Sequence, residues 1–292
     1  MNINIEEIKK INFNVVKKEW DTIKNISNDD LEKLGNRSRL GCNLIDYFFF
    51  KHRLATVGNK GINFYQFIEN IEYYKTKKYI QTLLDYCIKT NKYKDSLIKQ
   101  YYYCYGLCFG RINAFKITNV IEVLNKYPSK ISVLDPFAGF GGRMVGSLIK
   151  GYNYIGIDSN VNLKESYDAL LNTEYFNLDI SKVTMIFDDC LNIDYTKYKY
   201  DVIFTSPIYY NIEVYENMEK KTIKEWDLFY NKIFHVLFEN LMINGWFIIN
   251  INENIYNKIL VPLFGIAHDF IMLKKVNKNN YKEYIYVWQK KQ

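Results

Sequence analysis

Only three histidines, four prolines and five cysteines occur among 292 residues, and each scarcity excludes something. His52, His235 and His268 are far apart, no CxxC pair exists, and the closest cysteines, Cys104 and Cys108, lie in an aromatic run. No spacing therefore suggests a zinc site, and no metal is expected. The odd number of cysteines argues against a disulfide framework and for reduced, mostly buried thiols. Lys, Asn or Asp interrupts every apolar run before the roughly 18 residues a membrane span needs. The opening stretch MNINIEEIKKINFN lacks the apolar segment of a signal peptide, so an intracellular protein with no membrane partner is expected.

What is present describes a globular chain. Hydrophobic residues make up 48% and charged residues 24%, enough apolar material for a sizeable core in one large domain or two small ones. Tyr, Lys, Asn and Ile are over-used throughout, in the manner of an AT-rich genome, so a single Tyr or Lys carries little meaning. The formal charge of +7 is unevenly divided. Residues 1–130 hold 22 Lys+Arg against 13 Asp+Glu, whereas residues 131–292 hold 17 against 19. All the excess positive charge thus lies in the N-terminal part, which points that part toward a polyanion.

The first 130 residues read as mostly helical, with apolar spacings of three and four in IEEIKKINFNVVKKEW and in YIQTLLDYCIKTNKYKDSLIKQYYYCY. Between these runs, Gly35 to Gly61 is basic and punctuated by four glycines, with a loop or hinge expected near 55–63. After Pro128 the texture changes. Short β-branched runs at 131–135, 154–158, 183–187, 201–206, 245–251, 269–273 and 283–288 alternate with helical patterns at 142–150, 161–174, 222–241 and 254–263. This alternation predicts an α/β fold with a parallel, doubly wound sheet, closed at one edge by an antiparallel pair.

Two loops carry the chemistry. VLDPFAGFGGR (133–143) takes a buried strand into Asp135 and then through Gly139, Gly141 and Gly142 to a helix. Ligands of open α/β sheets bind at such carboxyl-terminal strand ends. The spacing is not the GxGxxG of dinucleotide binders, and a carboxylate at the strand tip would repel a pyrophosphate but suit the ammonium of an amino-acid moiety. S-adenosylmethionine has that moiety and no phosphate. Asp158, at the end of YIGID, is placed to accept hydrogen bonds from a ribose diol, and Asp188 or Asp189 in MIFDDC to accept from an adenine amino group. Arg143 is a further candidate donor to the cofactor carboxylate or to a phosphate, because a cation in the first turn of a helix is otherwise unfavourable. The second loop is TSPIYYN (205–211). Two of the four prolines, Pro136 and Pro207, follow the ends of the first and fourth predicted strands.

Together these residues resemble the S-adenosylmethionine-dependent amino-methyltransferases, which methylate N4 of cytosine or N6 of adenine in DNA. That family's first loop reads close to D-P-F-x-G-x-G-G, as in Asp135 through Gly142, and its fourth-strand loop reads [DNS]-P-P-[YF], as in Ser206, Pro207 and Tyr209. The G-G-R ending looks most like members from phages and large DNA viruses. The likeness covers roughly 111–292 and implies a Rossmann-like seven-stranded methyltransferase domain there, with 1–110 as a helical, basic target-recognition region. It implies that Asp135, Pro136, Phe137, Ala138, Gly139, Gly141, Asp158, Asp188 and Asp189 hold S-adenosylmethionine. It also implies that the Ser206 side chain and the Pro207 carbonyl hydrogen-bond the amine of a flipped base, and that Tyr209 stacks on it.

The chain departs from the pattern at Ile208, where the family has its second proline. That substitution leaves open a non-catalytic, nucleic-acid-binding relative, and related fourth-strand loops in RNA enzymes leave open RNA base methylation. Ser at the head of the loop leans toward cytosine N4 over adenine N6. About 80 residues follow Asn211, only enough to finish the sheet, so target recognition is expected in the basic N-terminal part. Arg37, Arg39, Lys51, Arg53 and Lys60 are its candidate phosphate contacts, and Tyr210 and Asn211 extend the candidate target pocket. Asn113 and Phe115, ahead of the first strand, are candidate neighbours of the methionine end of the cofactor.

Overall fold

The computed structural model describes residues 4–35, 38–58, 60–211, 220–272 and 283–291. Its centre is a seven-stranded sheet in the order β3-β2-β1-β4-β5-β7-β6. The strands are β1 (Ser132–Asp135), β2 (Asn153–Ile157), β3 (Val183–Ile186), β4 (Val202–Thr205), β5 (Trp246–Asn252), β6 (Asp269–Met272) and β7 (Glu283–Gln289). β1 to β5 pair in parallel, and β7 runs antiparallel to both β5 and β6. Every residue of β1 and β4 is buried, which explains why both read as continuous apolar runs rather than alternating ones. The expected Rossmann-like α/β arrangement is present, and each expected strand lies within two residues of an observed boundary.

The strand order reverses between β1 and β4, and the crevice above such a reversal is where open α/β sheets bind ligands. Asp201 fastens the opposite end of this pair: its carboxylate accepts from Ser129 Oγ (2.7 Å) and from the backbone N–H groups of Lys130, Ile131 and Ser132. β1 and β4 are therefore tied below the crevice as well as paired along it.

Helix Gly142–Ile149 follows the glycine loop and packs on helix Ile117–Lys126. Their approach requires glycine. A Cβ at Gly142 would lie 2.1 Å from the Phe115 carbonyl oxygen, and one at Gly146 would lie 2.5 Å from Val120 Cγ1. The last glycine of the GFGG run thus lets its helix pack on the chain just ahead of helix Ile117–Lys126.

Hydrophobic packing runs across the boundary expected at residue 110. Helices Phe13–Lys24 and Cys42–Ala55 put Val16, Trp20, Ile23, Leu44, Ile45 and Phe49 into the same cluster as Phe140, Tyr167 and Phe176 of the sheet layer. The basic, glycine-punctuated stretch thus contains a 14-residue helix ahead of the expected loop. Its other side sends Phe50 and Leu54 into a separate cluster with Phe64, Phe67, Ile80, Tyr101 and Tyr105. Helix Cys42–Ala55 is consequently the shared wall between the sheet layer and the helices of 64–108. Among the described residues, no helix is long and apolar enough to cross a membrane.

Gly142→Ala tests the helix contact. The neighbour is backbone and cannot swing aside, so the variant should lose about 1–3 kcal/mol, the range typical of overpacking. Urea unfolding measures this, and an unchanged or higher midpoint would contradict the packing role.

Candidate active site

The loops after β1 and β4 meet at the strand reversal through a fully buried carboxylate. Asp135 Oδ1 accepts from Thr205 Oγ1 (2.8 Å) and, at longer range, from the Phe137 N–H (3.4 Å). Its Oδ2 accepts from Arg143 Nε (2.7 Å) and Tyr154 Oη (2.8 Å). Arg143 is itself buried, donates to the Phe137 carbonyl, and lies 5.2 Å over the Phe115 ring. Burial opposes the charge on Arg143, but the Asp135 carboxylate more than offsets it and leaves the guanidinium pKa raised. Burial, reinforced by Asp135, likewise pushes the Tyr154 hydroxyl well above its usual range and keeps it a donor.

This geometry corrects two expectations. Asp135 does not present its carboxylate to a ligand's ammonium: β1 is buried on both faces, so its last side chain points into protein, where Arg143 neutralises it. Arg143, expected to reach a cofactor carboxylate or phosphate, is the internal counter-ion. Together they shape the loop rather than line its mouth.

The loop they shape does offer a cradle. Gly139 takes φ +60°, a left-handed conformation that favours glycine, and nothing but the Phe137 carbonyl at 3.8 Å lies within 4 Å of where its Cβ would be. Its N–H donates to Asp158 Oδ2 (2.7 Å), and the Ala138 N–H donates to the Ile157 carbonyl (2.9 Å), fastening the loop to the end of β2. Gly141 differs: its φ is +75°, but a Cβ there would press on Phe49 at 3.2 Å. Pro136 and Ala138 are buried, and the half-buried Phe137 ring lies 6.1 Å from that of Phe229. Asp158 remains partly open to solvent although protein surrounds its carboxylate, and burial pushes its pKa up to about 6 against the opposing N–H groups of Asn160 and Gly139. Asp188 and Asp189 stand exposed after β3, each holding a local turn, Asp188 Oδ1 accepting from Asn192 Nδ2 (2.9 Å) and Asp189 Oδ1 from the Leu191 N–H (2.8 Å). Burial, with the Asp189 charge second, pushes the Cys190 thiol well up, so this nearby cysteine is no ready thiolate nucleophile.

Across the crevice, Ser206 is half-buried and Pro207 buried. Ser206 Oγ accepts from Asn250 Nδ2 (3.2 Å) on neighbouring β5. The Tyr209 hydroxyl also meets Asn250 Nδ2 (2.6 Å) and reaches the Asn250 carbonyl (3.0 Å) and Glu283 Oε1 (2.8 Å) on β7. Glu283 Oε1 accepts from Asn250 Nδ2 as well (2.6 Å), which fixes which end of the amide faces it. Asn250 Oδ1 is then a buried acceptor with no partner, the only such side-chain atom among the described residues.

Where the family has its second proline, Ile208 gives its carbonyl to the Tyr230 hydroxyl (2.6 Å), and the same hydroxyl accepts from the Tyr210 N–H (2.8 Å). Tyr210 sits at φ +54° with its own hydroxyl on Asp227 (3.2 Å), and Asn211 Oδ1 accepts from Trp226 Nε1 (3.0 Å). Tyr210 and Asn211 thus lash the loop to helix Ile223–Asn240.

The expected phosphate contacts divide. Arg39 and Lys60 are exposed, and Arg37 lies outside the described residues. Lys51 is exposed but pairs with Glu165 (3.0 Å), beside a cavity of about 740 Å³ that His52, Tyr65 and Asn162 also line. Arg53 is corrected: its side chain is only 10% exposed, pairs with Asp46 and donates to the Ile112 carbonyl (2.8 Å from Nε). A guanidinium so occupied holds helix Cys42–Ala55 to the chain ahead of helix Ile117–Lys126. Asn113 contacts Arg53 (3.4 Å), and the Phe115 ring packs on Phe204 (5.6 Å).

Sequence reasoning missed Thr205, Tyr154, Asn250, Tyr230 and Glu283. A Thr directly before Ser-Pro, and a Tyr inside a fully buried strand beside Asp135, were the available signals for the first two.

No protein-family model matches the chain. No curated protein sequence matches it either. Among solved structures it is similar to SMU.776 complexed with SAH, at 18% identity and a TM-score of 0.48, over 60% of this chain and 50% of that one. It is also similar to TehB from Haemophilus influenzae (15%, TM-score 0.42, 65% of this chain and 66% of that one). An rRNA methylase from Streptococcus thermophilus is a third (14%, TM-score 0.43, 62% and 99%). The matched part thus spans about half of the SMU.776 chain and two thirds of TehB.

The buried pair predicts a large, specific stability effect. Arg143→Met leaves Asp135 charged and unpaired in the interior and should cost about 3–5 kcal/mol in urea unfolding. A loss below about 1 kcal/mol, the range of exposed pairs, would contradict this role of the buried pair.

Proposed function

We propose that the protein is an S-adenosylmethionine-dependent DNA methyltransferase that acts on an exocyclic amine, cytosine N4 or adenine N6, of a flipped base. The observation that carries this reading is the meeting of the two motif loops at the strand reversal through the Thr205–Asp135 hydrogen bond (2.8 Å). S-adenosylmethionine, when bound, supplies a sulfonium methyl group open to nucleophilic attack.

The residues present fit that cofactor on one side and depart from the family expectation on the other. The open Gly139 cradle and the Asp158 carboxylate suit its ribose end, with Asp188 and Asp189 beyond, while Asp135 acts through the loop. Ser206 Oγ accepts one hydrogen bond from Asn250 and retains a second lone pair, which takes an N–H of the target amine together with the Pro207 carbonyl. Two such acceptors draw the amine toward a pyramidal geometry and turn its lone pair away from the ring. The anchored hydroxyl of Tyr209 sets the plane of a ring on which the base stacks. Tyr230 supplies through hydrogen bonds the stiffness that a second proline would give covalently, which favours an active enzyme over a non-catalytic relative.

Transfer of label from methyl-tritiated cofactor to DNA, to RNA, or to neither tests the reading; transfer to DNA is expected, and transfer to neither would overturn it. Ser206→Ala should lower the rate by about 10²-fold or more, as for loss of one preorganised polar group. Tyr230→Phe, which keeps the ring but frees the loop, should lower the rate about tenfold at unchanged cofactor affinity.

Asp158 gives a pH dependence with a defined sign. Its carboxyl is raised in the folded protein, so ionising it opposes folding as pH rises from about 4 through about 6. Accepting from ribose hydroxyls favours the ionised form. Cofactor affinity should therefore fall as pH drops through about 6, and Asp158→Asn should bind weakly with that dependence gone. Calorimetric titration across this range checks it, and a pH-independent affinity in the wild type would refute the role.

A further inference from the structure

The reading above requires a strand to be held while one base is extruded, and the strongest surface for this lies away from the glycine-rich stretch. Residues 71–103 contain eight of the chain's 27 tyrosines and seven lysines against three acidic residues. That density exceeds the chain-wide excess of Tyr, so composition alone does not account for it. Three of these rings form one group. Tyr86 on helix Lys78–Lys89 and Tyr103 on helix Leu97–Cys108 stack with centroids 6.3 Å apart and planes at 24°, and Tyr93, in the turn between the helices, lies 6.2 Å from Tyr103.

Lys92 Nζ stands over two of the rings, 5.1 Å from Tyr93 and 4.9 Å from Tyr103. Tyr86 and Tyr93 remain 47% and 44% exposed, an open position for aromatic rings already in mutual contact. Among the described residues, none of Lys89, Lys92, Lys94 and Lys99 has a carboxylate within ion-pair distance.

The turn that presents these groups is strained and braced. Asn91 and Tyr93 take φ values of +52° and +54°, uncommon for non-glycine residues and costly for a bulky one. The Tyr93 carbonyl accepts from the Ser96 N–H (3.0 Å) and from buried Gln100 Nε2 (3.3 Å), and the Lys92 N–H returns to the Cys87 carbonyl (2.8 Å). A left-handed tyrosine held outward by its neighbours, beside uncompensated cations, matches the stacking and charge requirements of unpaired bases on a phosphate backbone.

We propose that Tyr86, Tyr93 and Tyr103 with Lys92 form a stacking platform for a single-stranded stretch of DNA. The proposal rests on the DNA methyltransferase reading for its biological sense but is testable without it. The probe is a fluorescein-labelled thymidine homo-oligomer, which carries no exocyclic amine and so bypasses methyl transfer. Tyr93→Ala and Tyr103→Ala should each weaken its binding by about 5- to 150-fold, the range that corresponds to one base–aromatic stack. Tyr93→Phe should retain binding within about threefold, and Lys92→Gln should reduce the salt slope by about 0.7. Cofactor affinity should be the same in all four variants, which verifies folding.

Equal binding by wild type and alanine variants overturns the platform, as does no binding at all. Preference for a uridine homo-oligomer of equal length by more than about tenfold (about 1.4 kcal/mol) overturns its assignment to DNA. Label transfer to DNA by a wild type that ignores the homo-oligomer would leave the enzyme reading standing and remove the platform. Tyrosine-dependent binding without any label transfer would do the reverse.

Discussion

A single buried carboxylate holds the candidate site together. Asp135 ends β1, and its hydrogen-bond partners come from β2, β4 and helix Gly142–Ile149, so one side chain ties together both strands that flank β1 and the helix after the glycine loop. Such a charge is tolerable only because Arg143 is buried with it and because hydroxyls occupy its remaining lone pairs. The loop conformation follows. Arg143 also grips the Phe137 carbonyl, so the path from strand to helix is set from inside, and Gly139 is left as the point where a ligand can come close to backbone.

The same logic recurs on the other side of the crevice. Instead of proline, the TSPIYYN loop uses phenol hydroxyls: Tyr230 bridges Ile208 and Tyr210, and Tyr209 is tethered to β5 and β7. A chain rich in tyrosine and poor in proline has stiffened its loop with the residues it has. The result keeps Ser206 and Pro207 presented at the strand end, with Asn250 behind them.

Much of the sheet was legible because parallel strands buried on both faces leave continuous apolar runs, and because Asp135 and Asp158 mark their carboxyl ends. The roles of those acids were less legible. Whether Asp135 faces a ligand or an arginine depends on which way a buried strand's last side chain points, and local pattern carries no such information. Arg53 misled for a related reason: a cation in a basic, glycine-punctuated stretch resembles a phosphate contact until the helix Cys42–Ala55 brings Asp46 to its side. That helix was itself hidden, since its two apolar faces serve different clusters and blur the single stripe by which amphipathic helices are recognised. Asn250, Tyr230 and Glu283 act only through contacts between elements distant in the chain, which no motif spacing records.

On the function proposed above, these strand ends deliver a methyl group to an exocyclic amine. Mass analysis of nucleosides from DNA incubated with the protein and S-adenosylmethionine tests it most directly. The proposed function predicts N4-methylcytosine or N6-methyladenine with the wild type, formed about 10²-fold more slowly with Ser206→Ala. Methylation at a ring carbon, or a protein that binds the cofactor yet leaves every base amine unmodified, would contradict it.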